Sequence, residues 1–367
     1  MALSGLALIL LVACGRAGGP ATSQTPTPTV ALTHTPMPTF APTPTAALTR
    51  TPMPTLSPTP AVALTRTPFP TVAPMPVEFV WKLGPEVVQE PAGPYVDEQG
   101  NLYVLDVAQA HVVKFDADGQ VLLTFGEPGS GDGQFNFRPV RTPLYHDLVY
   151  GGDLAVDQDG NIYVADGSNF RVQVFDAQGN YLRQWGQRGT AAGDFEVPWT
   201  IALDALGVIY VGDFTGYISK FDSNGEFLGR LGGGQGSGPG QFQAAVHDVE
   251  ADAHGNVYAS DFKLARIFKF DPAGQLVLEW NRCGGPLGPA GLGVDSNGHV
   301  YVIDQRTFRI CIFDAQGNVL SAFGEYGEGE GEFQFGQGAD VTIDLNGNIY
   351  VTSDDPPWIQ KFQLPSQ

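Results

Sequence analysis

Three aspartates, Asp153, Asp248 and Asp340, and three histidines, His111, His146 and His247, are the residues of this chain whose chemistry could hold a cation. Three carboxylates suit Ca²⁺ or a cationic ligand. Three neutral imidazoles suit a Zn²⁺ that keeps one position open for catalysis. Cys283 and Cys311 either form a disulfide, which an oxidising compartment permits, or stay as two buried thiols. No Gly-x-Ser-x-Gly occurs, so no nucleophile elbow is legible. A set of large side chains, Tyr145, His146, Trp199, Phe214, Tyr217, Phe262, Phe308 and Trp358, falls in variable stretches between recurring ones. Such aromatics either stack on a ligand or wedge packed sheets together, and the sequence leaves both open.

The elements that must position these residues are short strands. From residue 77 onward, apolar alternation is split by Asp-x-x-Gly turns, in which Asp bonds its own backbone and Gly supplies positive φ. One unit runs from Asp153 to Gly186 and contains four such strands, a meander. An aspartate closing the first strand recurs at 97, 157, 204, 252, 295 and 344. One closing the second recurs at 106, 166, 213, 261, 304 and 354, and one closing the third at 116, 176, 222, 271 and 314, with Gln363 in the last unit. Spacings of this size fit the four-stranded blades of a propeller. The sixth unit stops after its third strand. Residues 77–84 have the character of the missing fourth, so the ring is expected to close by pairing them with the last blade, which removes an open edge.

The run Gly-Asn-Ile-Tyr-Val-Ala-Asp at 160–166, continued by Asn169-Phe-Arg-Val-Gln-Val-Phe-Asp176, resembles the NHL repeat. So do the connectors Gly131-Asp-Gly-Gln-Phe135, Gly238-Pro-Gly-Gln-Phe242 and Gly329-Glu-Gly-Glu-Phe333. The resemblance spans about 290 residues and implies an all-β, six-bladed propeller over 77–367, a fold used mostly as a binding platform and by some relatives as an enzyme. It also implies structural roles for Arg171, Arg266 and Arg309, which match a repeated arginine. One relative, the peptidylglycine amidating lyase, holds zinc on three histidines near its channel. Here His111, His146 and His247 map to the loop face, but His111 and His247 lie on opposite blades.

In a propeller the Asp-x-x-Gly turns crowd one face, and the other face carries the variable loops where ligands bind. Asp153, Asp248 and Asp340 begin three of the innermost strands, with Gly93, Thr200 and Gly291 in the other three places, so the carboxylates should ring the channel mouth. Residues 138–152 form an enlarged connector, a candidate recognition loop.

The N-terminal fifth obeys different physics. Residues 3–13 are an apolar run too short to span a bilayer, followed by Leu11-Val12-Ala13-Cys14-Gly15, which resembles a lipobox. This reading makes 1–13 a signal peptide and Cys14 a lipidated residue anchoring the chain to the outer face of the cell membrane, although no Lys or Arg precedes the apolar run. Residues 14–76 hold no acid, and their Thr/Pro sequence repeats every 16 residues, at Ala31, Ala47 and Ala63. Proline at alternate positions blocks helix and sheet, so this is expected to be an unfolded spacer, of which residues 20–76 reach at most about 180 Å. All 39 acidic residues fall after residue 76, which excludes a nucleic-acid partner. Seventeen of the 26 aspartates sit at the fixed repeat positions, so most of that charge follows from turn chemistry.

The expectation is thus an envelope-anchored, monomeric binding protein for a protein, peptide or glycan, with no required cofactor. A Ca- or Zn-dependent lyase or hydrolase working at the channel mouth is the alternative.

Overall fold

The computed structural model describes residue 72 and residues 74–138, 152–243, 245–336 and 338–365. Over these the chain builds six four-stranded antiparallel sheets, each a meander running outward from a central axis. The innermost strands of blades 1 to 6 are Pro91–Val96, Gly152–Val156, Pro198–Leu203, Asp248–Ala251, Pro289–Val294 and Asp340–Ile343. The outermost strands of blades 1 to 5 are Val121–Phe125, Tyr181–Trp185, Phe227–Leu231, Leu276–Trp280 and Val319–Phe323. The outermost strand of blade 6 is Glu78–Leu83, which pairs antiparallel with Pro357–Gln363 and closes the ring as its sequence suggests. Trp81 in that strand also donates its indole N–H to the carbonyl of Ala117 in blade 1, at 3.2 Å.

The recurring aspartates do two jobs. At the turns, Asp157 Oδ1 accepts the backbone N–H groups of Asp159 and Asn161 at 3.0 and 2.8 Å, and its Oδ2 accepts the Tyr163 hydroxyl at 3.0 Å. That tyrosine recurs at 103, 163, 210, 258, 301 and 350 and is buried each time, filling the space between blades. At the ends of the second strands, the aspartates grip the connector that leads into their own blade. Asp166, Asp261 and Asp304 accept from the N–H groups of Asn136, Gln243 and Gly288 at 2.7–2.8 Å. Arg171 completes the grip in blade 2, meeting Asp166 at 2.8 Å and donating to the carbonyls of Gly131 and Gln134. In four of the connectors a phenylalanine, Phe135, Phe195, Phe242 or Phe333, is buried between blades.

The connector from blade 4 to blade 5 has no such phenylalanine; there Cys283 is bonded to Cys311 of the next blade, S–S 2.09 Å. Leu287, immediately before the Gly288 that Asp304 holds, is fully buried in the wedge's place, and the disulfide to buried Cys311 ties the connector to the sheet beside it.

A second period, of two blades, overlies the first. Blades 1, 3 and 5 open their innermost strands on Pro91, Pro198 and Pro289, and each strand is bulged against its neighbour just after the proline. Blades 2, 4 and 6 place Asp153, Asp248 and Asp340 at the same level on strands paired without interruption. The alternation is steric. A Cβ on Gly93 would lie 2.4 Å from Asp153 Oδ1, and one on Gly291 would lie 2.1 Å from Asp340 Oδ1. A carboxyl on one blade therefore needs a small residue on the next.

Candidate functional site

Asp153, Asp248 and Asp340 line one cavity at the loop-face mouth of the channel, with Gly93, Thr200 and Gly291 between them. The cavity has a volume of about 60 Å³. All six positions named from the sequence as the ring are thus brought together.

The carboxyls are not free-standing. Asp153 Oδ2 accepts the N–H of Ile201 in blade 3 at 2.8 Å, and Asp248 Oδ2 accepts that of Leu292 in blade 5 at 2.5 Å. Each also caps the N–H that follows it, at 2.7 Å. Thr200 Oγ1 lies 3.0 Å from Asp153 and 2.7 Å from Asp248. Its single proton serves one of them at a time, while its oxygen accepts the Val249 N–H. Asp340 caps Val341 at 2.7 Å, and the charge of Asp248 raises it. The ring is therefore a set of latches between blades whose crowded, buried carboxyls favour the protonated form.

Its electrostatics agree. Burial, then the charge of Asp248, pushes Asp153 up to about 7. Burial pushes Asp248 up to about 6 against the pull of its hydrogen-bond donors. Asp340 is raised well above the usual carboxylate range by burial and then by the other two charges. One layer deeper, Glu250 is raised by burial and by Asp248 and Asp153. Glu90 also lines the mouth, and burial together with Asp354 and Asp106 raises it. Glu90 was not singled out from the sequence; its place immediately before the innermost strand of blade 1 was the available signal.

An aromatic wall rises beside the carboxyls. Trp199 and His247 both line the cavity, their rings 5.8 Å apart. Phe262 backs His247 at 6.1 Å, and Phe214 backs Trp199 at 5.3 Å. Burial lowers His247 to about 4, so its imidazole is neutral near pH 7.

The other candidates lie elsewhere. Phe214 is 4% exposed, beneath Trp199 rather than beside a ligand. Trp358 is 2% exposed and packs on Phe333 at 5.7 Å; the expectation that it faces a ligand is corrected, because the loop before it turns its ring into the core of blade 6. Phe308 packs against Tyr326, and Tyr217 carries the Arg230 guanidinium on its ring at 4.9 Å, both away from the mouth. His111 opens the third strand of blade 1 and does not line the cavity with His247. Cys14, Tyr145 and His146 lie outside the described residues. Among the described residues, no group of three or more His, Cys, Asp or Glu side chains is disposed to hold a metal.

Comparison with known proteins places this geometry. The NHL repeat profile matches residues 152–175 and 287–313. NHL repeat-containing protein 3 of Homo sapiens is 30% identical over 122 residues, 32% of this chain and 31% of that protein. A probable peptidyl-alpha-hydroxyglycine alpha-amidating lyase of Caenorhabditis elegans is 30% identical over 140 residues, 36% of each. The chain thus matches about a third of the length of these curated relatives. Among solved structures, virginiamycin B lyase from Staphylococcus aureus superposes with a TM-score of 0.51 at 13% identity, over 78% of this chain and all of that one. A protein of unknown function from Bacteroides thetaiotaomicron superposes at 0.55 and 18% identity, over 80% and 73%. At such identity the likeness is one of fold. Two blades match the NHL repeat, a similar pattern recurs in all six, and the first strand closes the ring, so this chain is a six-bladed β-propeller with repeats similar to the NHL repeat.

Proposed function

We propose that the propeller is a non-catalytic binding module that takes a cationic group of a peptide or protein ligand at the channel mouth. The observation that carries this reading is the convergence of carboxyls from alternate blades and the Trp199 indole on one cavity. A primary ammonium offers three donors to acceptors arranged around an axis, and an indole face beside it favours a cation. Binding would favour the ionised form of the crowded carboxyls. The reading extends to display at the cell envelope, through lipid on Cys14 and the spacer 14–76, which places the mouth within reach of ligands outside the cell.

Calorimetric titration of the full chain with short lysine-containing peptides, free and fully acetylated, tests it. Binding of the free peptides that is abolished by acetylation and by Trp199→Ala supports the module. Equal binding of both forms would leave an apolar or glycan ligand instead.

A metal-dependent lyase or hydrolase is the second reading, favoured by 30% identity over 140 residues to the amidating lyase. Metal analysis of the purified chain separates the two. Stoichiometric zinc that is lost in His247→Ala or His146→Ala would replace the binding reading.

A further inference from the structure

The propeller carries one instance of an extended segment bound to the outer edge of a blade. Pro74 forms a parallel bridge with Ala322 on the outermost strand of blade 5, and the Met75 N–H donates to the Ala322 carbonyl at 3.1 Å. Val72, two residues before the proline, packs against the core at the junction of blades 4 and 5, as do Trp280, Cys283 and Val319. Pro74 has no N–H, so the added segment leaves one donor fewer on the new edge.

Two features single out blade 3 for a second segment of this kind. The first is a groove of about 330 Å³ at the junction of blades 2 and 3, lined by Trp185, Gln187, Asp194, Phe221, Gly225 and Phe227, among others. It is the counterpart of the place that Val72 fills. Trp185 pairs with Val172 as Trp280 pairs with Ile267, and Phe221 pairs with Phe227 as Phe313 pairs with Val319.

The second feature is the edge itself. The strand position of Ser321 in blade 5 is held by Leu123, Arg183 and Leu278 in blades 1, 2 and 4, but by Gly229 in blade 3. A Cβ on Gly229 would meet nothing within 4 Å. A glycine inside a strand, with open space beside it, lets another backbone approach closely. Arg230 pairs with Ser219 as Ala322 pairs with Cys311, so its N–H and carbonyl turn outward as those of Ala322 do. Its guanidinium is held by the Ala191 carbonyl at 2.7 Å and by the Tyr217 ring.

We propose that the groove and open edge of blade 3 bind an extended segment of another protein, one in which a large apolar residue stands two positions before a proline. The apolar side chain enters the groove against Trp185 and Phe227. The residue after the proline donates its N–H to the Arg230 carbonyl, which extends the sheet by one parallel strand. Val72, Pro74 and Met75 are themselves seated on blade 5, so this second place is left to a partner. The site shares no lining residue with the cavity at the channel mouth and does not depend on what binds there.

Amide hydrogen exchange of the full chain tests this, with the synthetic peptide Thr-Val-Ala-Pro-Met-Pro, the sequence of residues 71–76, as the probe. At about ten times its Kd the peptide should slow exchange of the Arg230 amide about tenfold. The Glu279 amide, at the same place on the edge of blade 4, should be unchanged. A peptide with Asp in place of Val should protect neither, and Gly229→Leu should abolish protection by the original peptide. Unchanged exchange of Arg230 at about 1 mM peptide overturns the proposal, as does equal protection of both edges or by both peptides. These outcomes are read on the unaltered chain and hold even if the Gly229 variant fails to fold. Protection of Arg230 that grows with protein concentration in the absence of peptide would give the site to a second copy and also overturn the proposal.

Discussion

Protonation of the carboxyl ring should make this propeller more stable in mild acid than at neutral pH, and Asp248→Asn should remove much of that dependence. Asp153 and Asp248 are raised to about 7 and about 6 from ordinary values of 3.8. Their folded values exceed their unfolded values, so the native state binds more protons. The associated stability is complete below about pH 4 and is lost as pH rises through 6 and 7. Between pH 5 and pH 8 the loss is about 1.4 kcal/mol for Asp248 and about 2.6 kcal/mol for Asp153 if they titrate independently. The two sites interact, so about 2–4 kcal/mol is the combined expectation. An asparagine at 248 keeps an acceptor for the Leu292 N–H and removes the charge that repels Asp153 and Asp340. The measurement is urea unfolding of both proteins at pH 5, 6, 7 and 8, read as the difference between them so that titrations elsewhere cancel. Parallel profiles, or a wild-type profile that rises with pH relative to the variant, would refute the reasoning.

Three further outcomes follow from the packing. Reducing the chain, or replacing Cys283 and Cys311 with serine, should cost about 3–4 kcal/mol for a loop closed across 28 residues, checked by unfolding with and without reductant. Trp358→Ala should cost about 3–5 kcal/mol in denaturant unfolding, whereas Trp199→Ala at the half-exposed mouth should cost much less and act on binding. Arg171→Ala leaves Asp166 buried without its cation and should destabilise by about 3–5 kcal/mol. Arg171→Lys, which cannot reach both carbonyls and Asp166 at once, should recover only part of that loss by the same measurement.

The fold was legible because its determinants are local. An aspartate that bonds its own backbone and a glycine at positive φ specify a turn within four residues, and six repetitions set the blade count without any distant contact. The ring of Gly93, Asp153, Thr200, Asp248, Gly291 and Asp340 was legible for the same reason, since a repeat fixes where each innermost strand begins. The closing strand 78–83 was readable as the fourth strand that the last repeat lacks.

What the repeats could not reveal was the direction in which a loop side chain turns. Trp199 and Trp358 looked alike as large residues at variable positions, yet one lines the mouth and the other fills a core. That choice is made by packing against neighbouring blades, through contacts such as Trp199 on Phe214 and Trp358 on Phe333. Nor could the sequence tell that ring carboxyls accept from the N–H groups of Ile201 and Leu292. Those bonds join residues more than forty positions apart and exist only once the blades are closed around the axis. Local turn chemistry therefore fixed the architecture of this protein, and closure of the ring decided which of its charged and aromatic residues line the channel mouth.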